Sequence, residues 1–160
     1  MTIDNAGTMR HEKLSWQGKV TSVQPRIRLL RSFDQRNHNY LGYSLRISGI
    51  IGDEQRDFTI GIGKGAQAKH MFCVGDVVSG ECLPVQDESI EVVEFYKVSK
   101  LKLLERKGGQ FNPPPWLGLP PDLEIYRARG HRRLDPRTYE AKCQSCIWGC
   151  EMPVEMIIDQ

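Results

Sequence analysis

An all-β fold with one short helix, followed by a small cysteine-rich C-terminal module, is what the sequence predicts. Three observations carry this: short runs in which apolar and polar residues alternate, turn residues between those runs, and three cysteines within eight residues near the end of a 160-residue chain.

Residues 1–12 are polar and without periodicity, and read as a flexible tail. Leu14, Trp16 and Val20 then share one parity. After Gln24-Pro25 the apolar residues resume at Ile27 and Leu29, which predicts one long first strand with a bulge or bend. A polar loop, SFDQRNHN, follows. Tyr43, Leu45 and Ile47 alternate with Ser44, Arg46 and Ser48, the pattern of a half-buried strand that runs to Ile51 and turns at Gly52-Asp53. Phe58, Ile60 and Ile62 repeat it, with Gly61 and Gly63 inside the third strand, where glycine marks a bulge, a tight corner or close backbone approach. AQAKHMF suits a short helix, Val74-Gly75-Asp76 a turn, VVSGECLPV a fourth strand and IEVVEFYKVSKLKLL a fifth.

This order of elements, with a long bent first strand and a helix between strands three and four, resembles the OB-fold. KHMFCVGDVVSGE is similar to the passage from helix to fourth strand in such domains. The resemblance covers residues 13–106 and implies a five-stranded OB-type barrel, with Trp16, Val20, Leu45, Ile47, Phe58, Ile60 and Val78 expected in its core. Residues 107–122 hold five prolines, so they are neither a regular helix nor a central strand. They form a linker, or a strap that lays Trp116 and Leu117 on the barrel. Residues 123–160 are the cysteine module.

Apolar residues make up 39% of the chain and charged residues 26%, values of an ordinary globular protein. No apolar run resembles a signal-peptide core or a membrane span, so the expected location is cytoplasmic, without a membrane partner. The net charge of +2 conceals an uneven distribution. From Arg10 to Arg46 eight basic residues face Glu12 and Asp34, whereas from Asp76 to Glu94 there are six acids and no Lys or Arg.

Five cysteines, at 73, 82, 143, 146 and 150, do not make a disulfide framework. Cys73 and Cys82 read as small buried residues. Cys143, Cys146 and Cys150 have the close spacing that lets thiolates converge on one metal, which predicts zinc or an iron–sulfur cluster. With Pro153 the segment partly resembles the cysteine run of bacterial ferredoxins. It departs from that run in having Glu140 where a first cysteine would stand and Glu151-Met152 before the proline. For the fourth ligand His131 is the first choice, with Glu140, Cys73, Cys82 or a residue of another chain as alternatives.

The second constellation is Arg28, Arg31, Phe33, Arg36, His38, Tyr40 and Arg46, with Arg26, Tyr43 and Thr59 beside it. Single strands are held by cations that track phosphates and by rings that stack on bases. The OB resemblance implies a ligand surface in this part of the barrel. A non-catalytic module that binds single-stranded or structured nucleic acid is the leading expectation. The basic run Arg127, Arg129, Arg132, Arg133, Arg137 and Lys142 would extend its track. Phosphate-binding glycine loops and nucleophile elbows are absent from the sequence, which argues against an enzyme. Three alternatives stay open: Phe33 and Tyr43 as core, with the arginines paired to acids of strands four and five; an iron–sulfur electron-transfer protein docking through the barrel; and a barrel whose partner is another protein.

Overall fold

The computed structural model describes residues 2–3, 9–10, 12–32, 36–106, 119–144 and 146–156. The stretch 107–118, with Trp116 and Leu117, and the candidate Phe33 lie outside the described residues. The chain is mostly β. Strands β1 (Thr2–Ile3) and β2 (Met9–Arg10) pair over two residues each, where the sequence suggested only a tail. Then come β3 (Leu14–Arg31), β4 (Arg36–Ile51), β5 (Glu54–Ile62), helix α1 (Lys64–His70), β6 (Val77–Pro84) and β7 (Phe95–Glu105). Helices α2 (Leu123–Arg129) and α3 (Pro136–Thr138) lead into a π turn at Tyr139–Cys143, and β8 (Val154–Met156) ends the described chain.

Five strands close on themselves in the order β3-β4-β5-β7-β6-β3, antiparallel except for the β5–β7 contact, which is parallel and consists of the pair Ile60↔Phe95. Alternation does the work. Tyr43, Leu45 and Ile47 of β4 and Phe58, Ile60 and Ile62 of β5 point into one core with Trp16, Val20, Val23, Phe72 and Val78, while Ser44, Arg46 and Ser48 point away. All seven residues expected in the core are buried. Cys82 is among them, and burial pushes its thiol up to about 12, so it behaves as a small apolar residue. In the turn before β6, the buried Asp76 carboxylate accepts the Cys73 N–H at 3.0 Å and faces the Arg106 guanidinium at 3.2 Å. It thereby fastens the helix exit to the end of β7. No helix among the described residues is long and apolar enough to cross a membrane.

Two expectations need correction, and a third is met. The polar stretch read as the loop SFDQRNHN is strand from Arg36 onward, because the hairpin of β3 and β4 runs past the core as far as Arg31↔Arg36; with no core face to bury, its residues carry no apolar alternation. The bulge expected after Gln24-Pro25 is present as a register shift in β3 at Arg26/Ile27, and a second shift falls at Val20/Ser22. The fifth strand starts at Phe95 rather than Ile90. Residues 90–94 cross the end of the sheet instead, held by Val85 N–H to the Glu94 carbonyl and Glu94 N–H to the Thr59 carbonyl.

The C-terminal segment is packed on the same core. Leu123 and Tyr126, three apart on α2, are buried with Tyr43, whose hydroxyl donates to the Pro121 carbonyl at 2.7 Å. β8 lies parallel along Leu29–Arg31, adding a sixth strand outside the ring.

Candidate nucleic-acid interface and cysteine loop

The cysteine loop is built around one barrel side chain. Gln24 of β3, only 7% exposed, lies against the segment from Tyr139 to Cys146. Its amide nitrogen reaches the carbonyls of Cys143 at 2.7 Å, Gln144 at 3.0 Å and Cys146 at 2.9 Å, while its oxygen accepts the Tyr139 hydroxyl at 2.7 Å. Two protons are shared among three carbonyls, so at least one bond is three-centred. Ser22 adds a fifth tie, its hydroxyl donating to the Gln144 carbonyl at 3.1 Å. The end of a π turn leaves carbonyls without intrahelical partners, and the barrel supplies the missing donors.

Within the loop, Cys146 N–H donates to the Cys143 carbonyl, Gly149 N–H to the Cys146 carbonyl, and Trp148 N–H to the Cys146 sulfur at 3.3 Å. A backbone donor aimed at a sulfur is an outer contact of the kind that orients metal-bound ligands. Gly149 must be glycine, because a Cβ there would lie 2.4 Å from the Cys143 carbonyl oxygen. All three cysteines are partly buried, and burial together with the nearby Glu151 pushes the Cys150 thiol up to about 11. Among the described residues no three His, Cys, Asp or Glu side chains converge as a metal site does.

His131, the proposed fourth ligand, sits on the extended hairpin. Its Nε2 lies 2.8 Å from the Tyr40 hydroxyl, and its ring lies 4.5 Å from that of His38. Desolvation, then the neighbouring His38, lowers its pKa from the ordinary histidine value. Burial raises the Tyr40 phenol, which also feels Cys150. Two strands of the hairpin, the loop after α2 and the cysteine loop thus meet at Tyr40.

The nucleic-acid candidates divide. His38 and Tyr40 come together with His131. Arg31 and Arg36 are exposed, directly opposite each other at the hairpin end, and among the described residues neither faces a carboxylate. Arg28 is turned inward: with Arg26 it grips the buried Glu91, at 2.7 and 2.6 Å. Arg46 lines a narrow cleft of about 60 Å³ walled by Tyr139, Gln144 and Glu151, and Thr59 on the same cleft is tied to the Glu94 backbone N–H at 3.0 Å. The cysteine loop therefore covers part of the surface expected to hold a ligand. Tyr43 belongs to the core, and its buried phenol is raised to about 12.

No family model, no curated protein and no solved structure matches this chain.

Two arginine–aromatic pairs were not singled out from sequence. Arg127 lies over the Tyr40 ring, 4.6 Å from its centroid, and Arg129 over Trp148 at 4.0 Å. Trp148 in turn meets Tyr126 edge-on, and the Tyr126 hydroxyl donates to the Ile147 carbonyl at 2.5 Å. Burial raises this phenol strongly. The signal available in the sequence was Trp148 between Cys146 and Cys150, beside a basic run of matching reach.

Proposed function

We propose that this chain is a non-catalytic module that binds single-stranded nucleic acid, built as an OB-type barrel with a metal-stabilised C-terminal element. The ring order β3-β4-β5-β7-β6-β3, with α1 between β5 and β6, supports the OB assignment. The observation that carries the functional reading is the pair of stacks, Arg127 on Tyr40 and Arg129 on Trp148, beside His38 and His131. Guanidiniums held over rings bring positive charge and aromatic surface together, which unstacked bases and their phosphates require. Arg31 and Arg36 face each other in register, an arrangement unfavourable without an anion between or near them, and they extend the positive surface along the hairpin. Cys143, Cys146 and Cys150 have the chemistry of ligands for zinc or an iron–sulfur cluster, with His131, whose Nε2 is engaged by Tyr40, offering Nδ1; since these side chains do not converge, binding would have to draw them together. Bound there, the metal would hold the loop, and with it Trp148, in one shape.

Fluorescence anisotropy with a labelled oligothymidylate of about twelve nucleotides, within the site sizes of single-strand binders, tests the reading. Trp148→Leu should lose roughly 1–3 kcal/mol of binding. Arg129→Ala should lower the slope of log K against log salt by about 0.7. Absence of binding at low salt, or binding indifferent to both changes, would overturn the proposal.

A further inference from the structure

Strands β5 and β7 pair at a single position, Ile60↔Phe95. Beside that contact lies a groove of about 730 Å³, bounded by the end of β5, by α1 and by Tyr96–Leu101 of β7. Its lining includes Arg26, Lys69, Lys97 and Lys100 and no carboxylate. Arg26 and Lys100 are paired with Glu91 and Glu81, but among the described residues Lys69 and Lys97 face no acid. The Lys97 ammonium lies 5.2 Å from the centroid of the Tyr96 ring.

Two features of the groove have no explanation in the fold. Lys97 and Lys100 both have φ of 52°, in the left-handed region, at places where β7 carries one more residue than β6 opposite it. Glycine is the unstrained occupant of such a bulge. A lysine kept there implies a use for its side chain, and strain of this kind gathers at binding sites. Gly65 presents the converse. Its φ is not positive, and a Cβ there would meet nothing within 4 Å, so neither packing nor backbone geometry demands glycine, which moreover weakens α1. Glycine at an open groove wall leaves room for something to come close to the backbone.

We infer that this groove is a second contact surface for the same single strand, with phosphates on Lys69 and Lys97 and a base on Tyr96. The inference rests on the nucleic-acid reading above. A volume of this size admits about one or two nucleotides, and a surface of cations and one ring, without acids, matches that ligand.

The same oligothymidylate, titrated against the full chain and three variants while thermal unfolding is followed, decides it. Lys97→Gly relieves the bulge, so its melting temperature should equal or exceed that of the wild type; yet its affinity should fall several-fold and its salt slope by about 0.7. Lys69→Ala should lose a similar increment of slope. Gly65→Leu, whose Cβ enters open space and which suits a helix better than glycine, should weaken binding roughly tenfold at an equal or raised melting temperature by filling the place of a base. Wild-type affinity in all three variants, with the wild type itself binding, would overturn the groove and leave the Arg127–Tyr40 surface standing. A wild type that does not bind at low salt would overturn both.

Discussion

Replacing Gln24 by alanine separates the barrel from the cysteine loop. The residue makes three hydrogen bonds through two protons and accepts a fourth from Tyr139, all with little water access. Counting the two protons and the accepted bond at about 1 kcal/mol each gives a loss of about 3 kcal/mol, falling toward about 1 if the loop lifts and water reaches the freed carbonyls. Native-state hydrogen exchange distinguishes local from global loss. The amides of Cys146 and Gly149, bonded inside the loop, should lose protection, while those of the central strands β4 and β5 keep theirs. Urea unfolding gives the total. Wild-type stability with unchanged protection at Cys146 and Gly149 would refute the claim that the barrel organises the loop.

Leu45→Ala and Ile60→Ala, both fully buried, should each cost about 2–5 kcal/mol in the same urea experiment. Glu91→Ala should cost about 3 kcal/mol, because it leaves the Arg26 and Arg28 guanidiniums, only 13% and 20% exposed, without their shared carboxylate; a neutral result would mean that both reach water. Serine at Cys143, Cys146 or Cys150 should remove most of the metal from anaerobically purified protein, and serine at the core residue Cys82 should remove none, as elemental analysis would read. Brown wild-type protein would favour a cluster, colourless protein zinc.

Where one face of a strand meets the core and the other meets solvent, the sequence is readable, and β4 and β5 follow from the alternation of Tyr43, Leu45 and Ile47 and of Phe58, Ile60 and Ile62. It fails where both faces are covered. Ser22, Val23, Gln24 and Pro25 are all buried, since the core lies on one side and the cysteine loop on the other. Period two is lost there. It fails also where neither face is covered, as at Arg36 and Asn37. Helix α2 escaped because two buried residues after a proline-rich stretch make too short a pattern. In the candidate site, spacing disclosed the three cysteines, but not Gln24, whose role depends on a contact 119 positions along the chain. Arginines over Tyr40 and Trp148 likewise depend on docking, and sequence could supply only the basic run.

Photo-crosslinking the full chain to a single-stranded oligonucleotide, with the attached peptides read by mass spectrometry, tests the central claim most directly. The account predicts adducts at Tyr40 and Trp148, with a separate set at Tyr96, all suppressed by high salt. Adducts absent at low salt, or confined to the opposite edge of the sheet around Arg56 and Glu54, would contradict it.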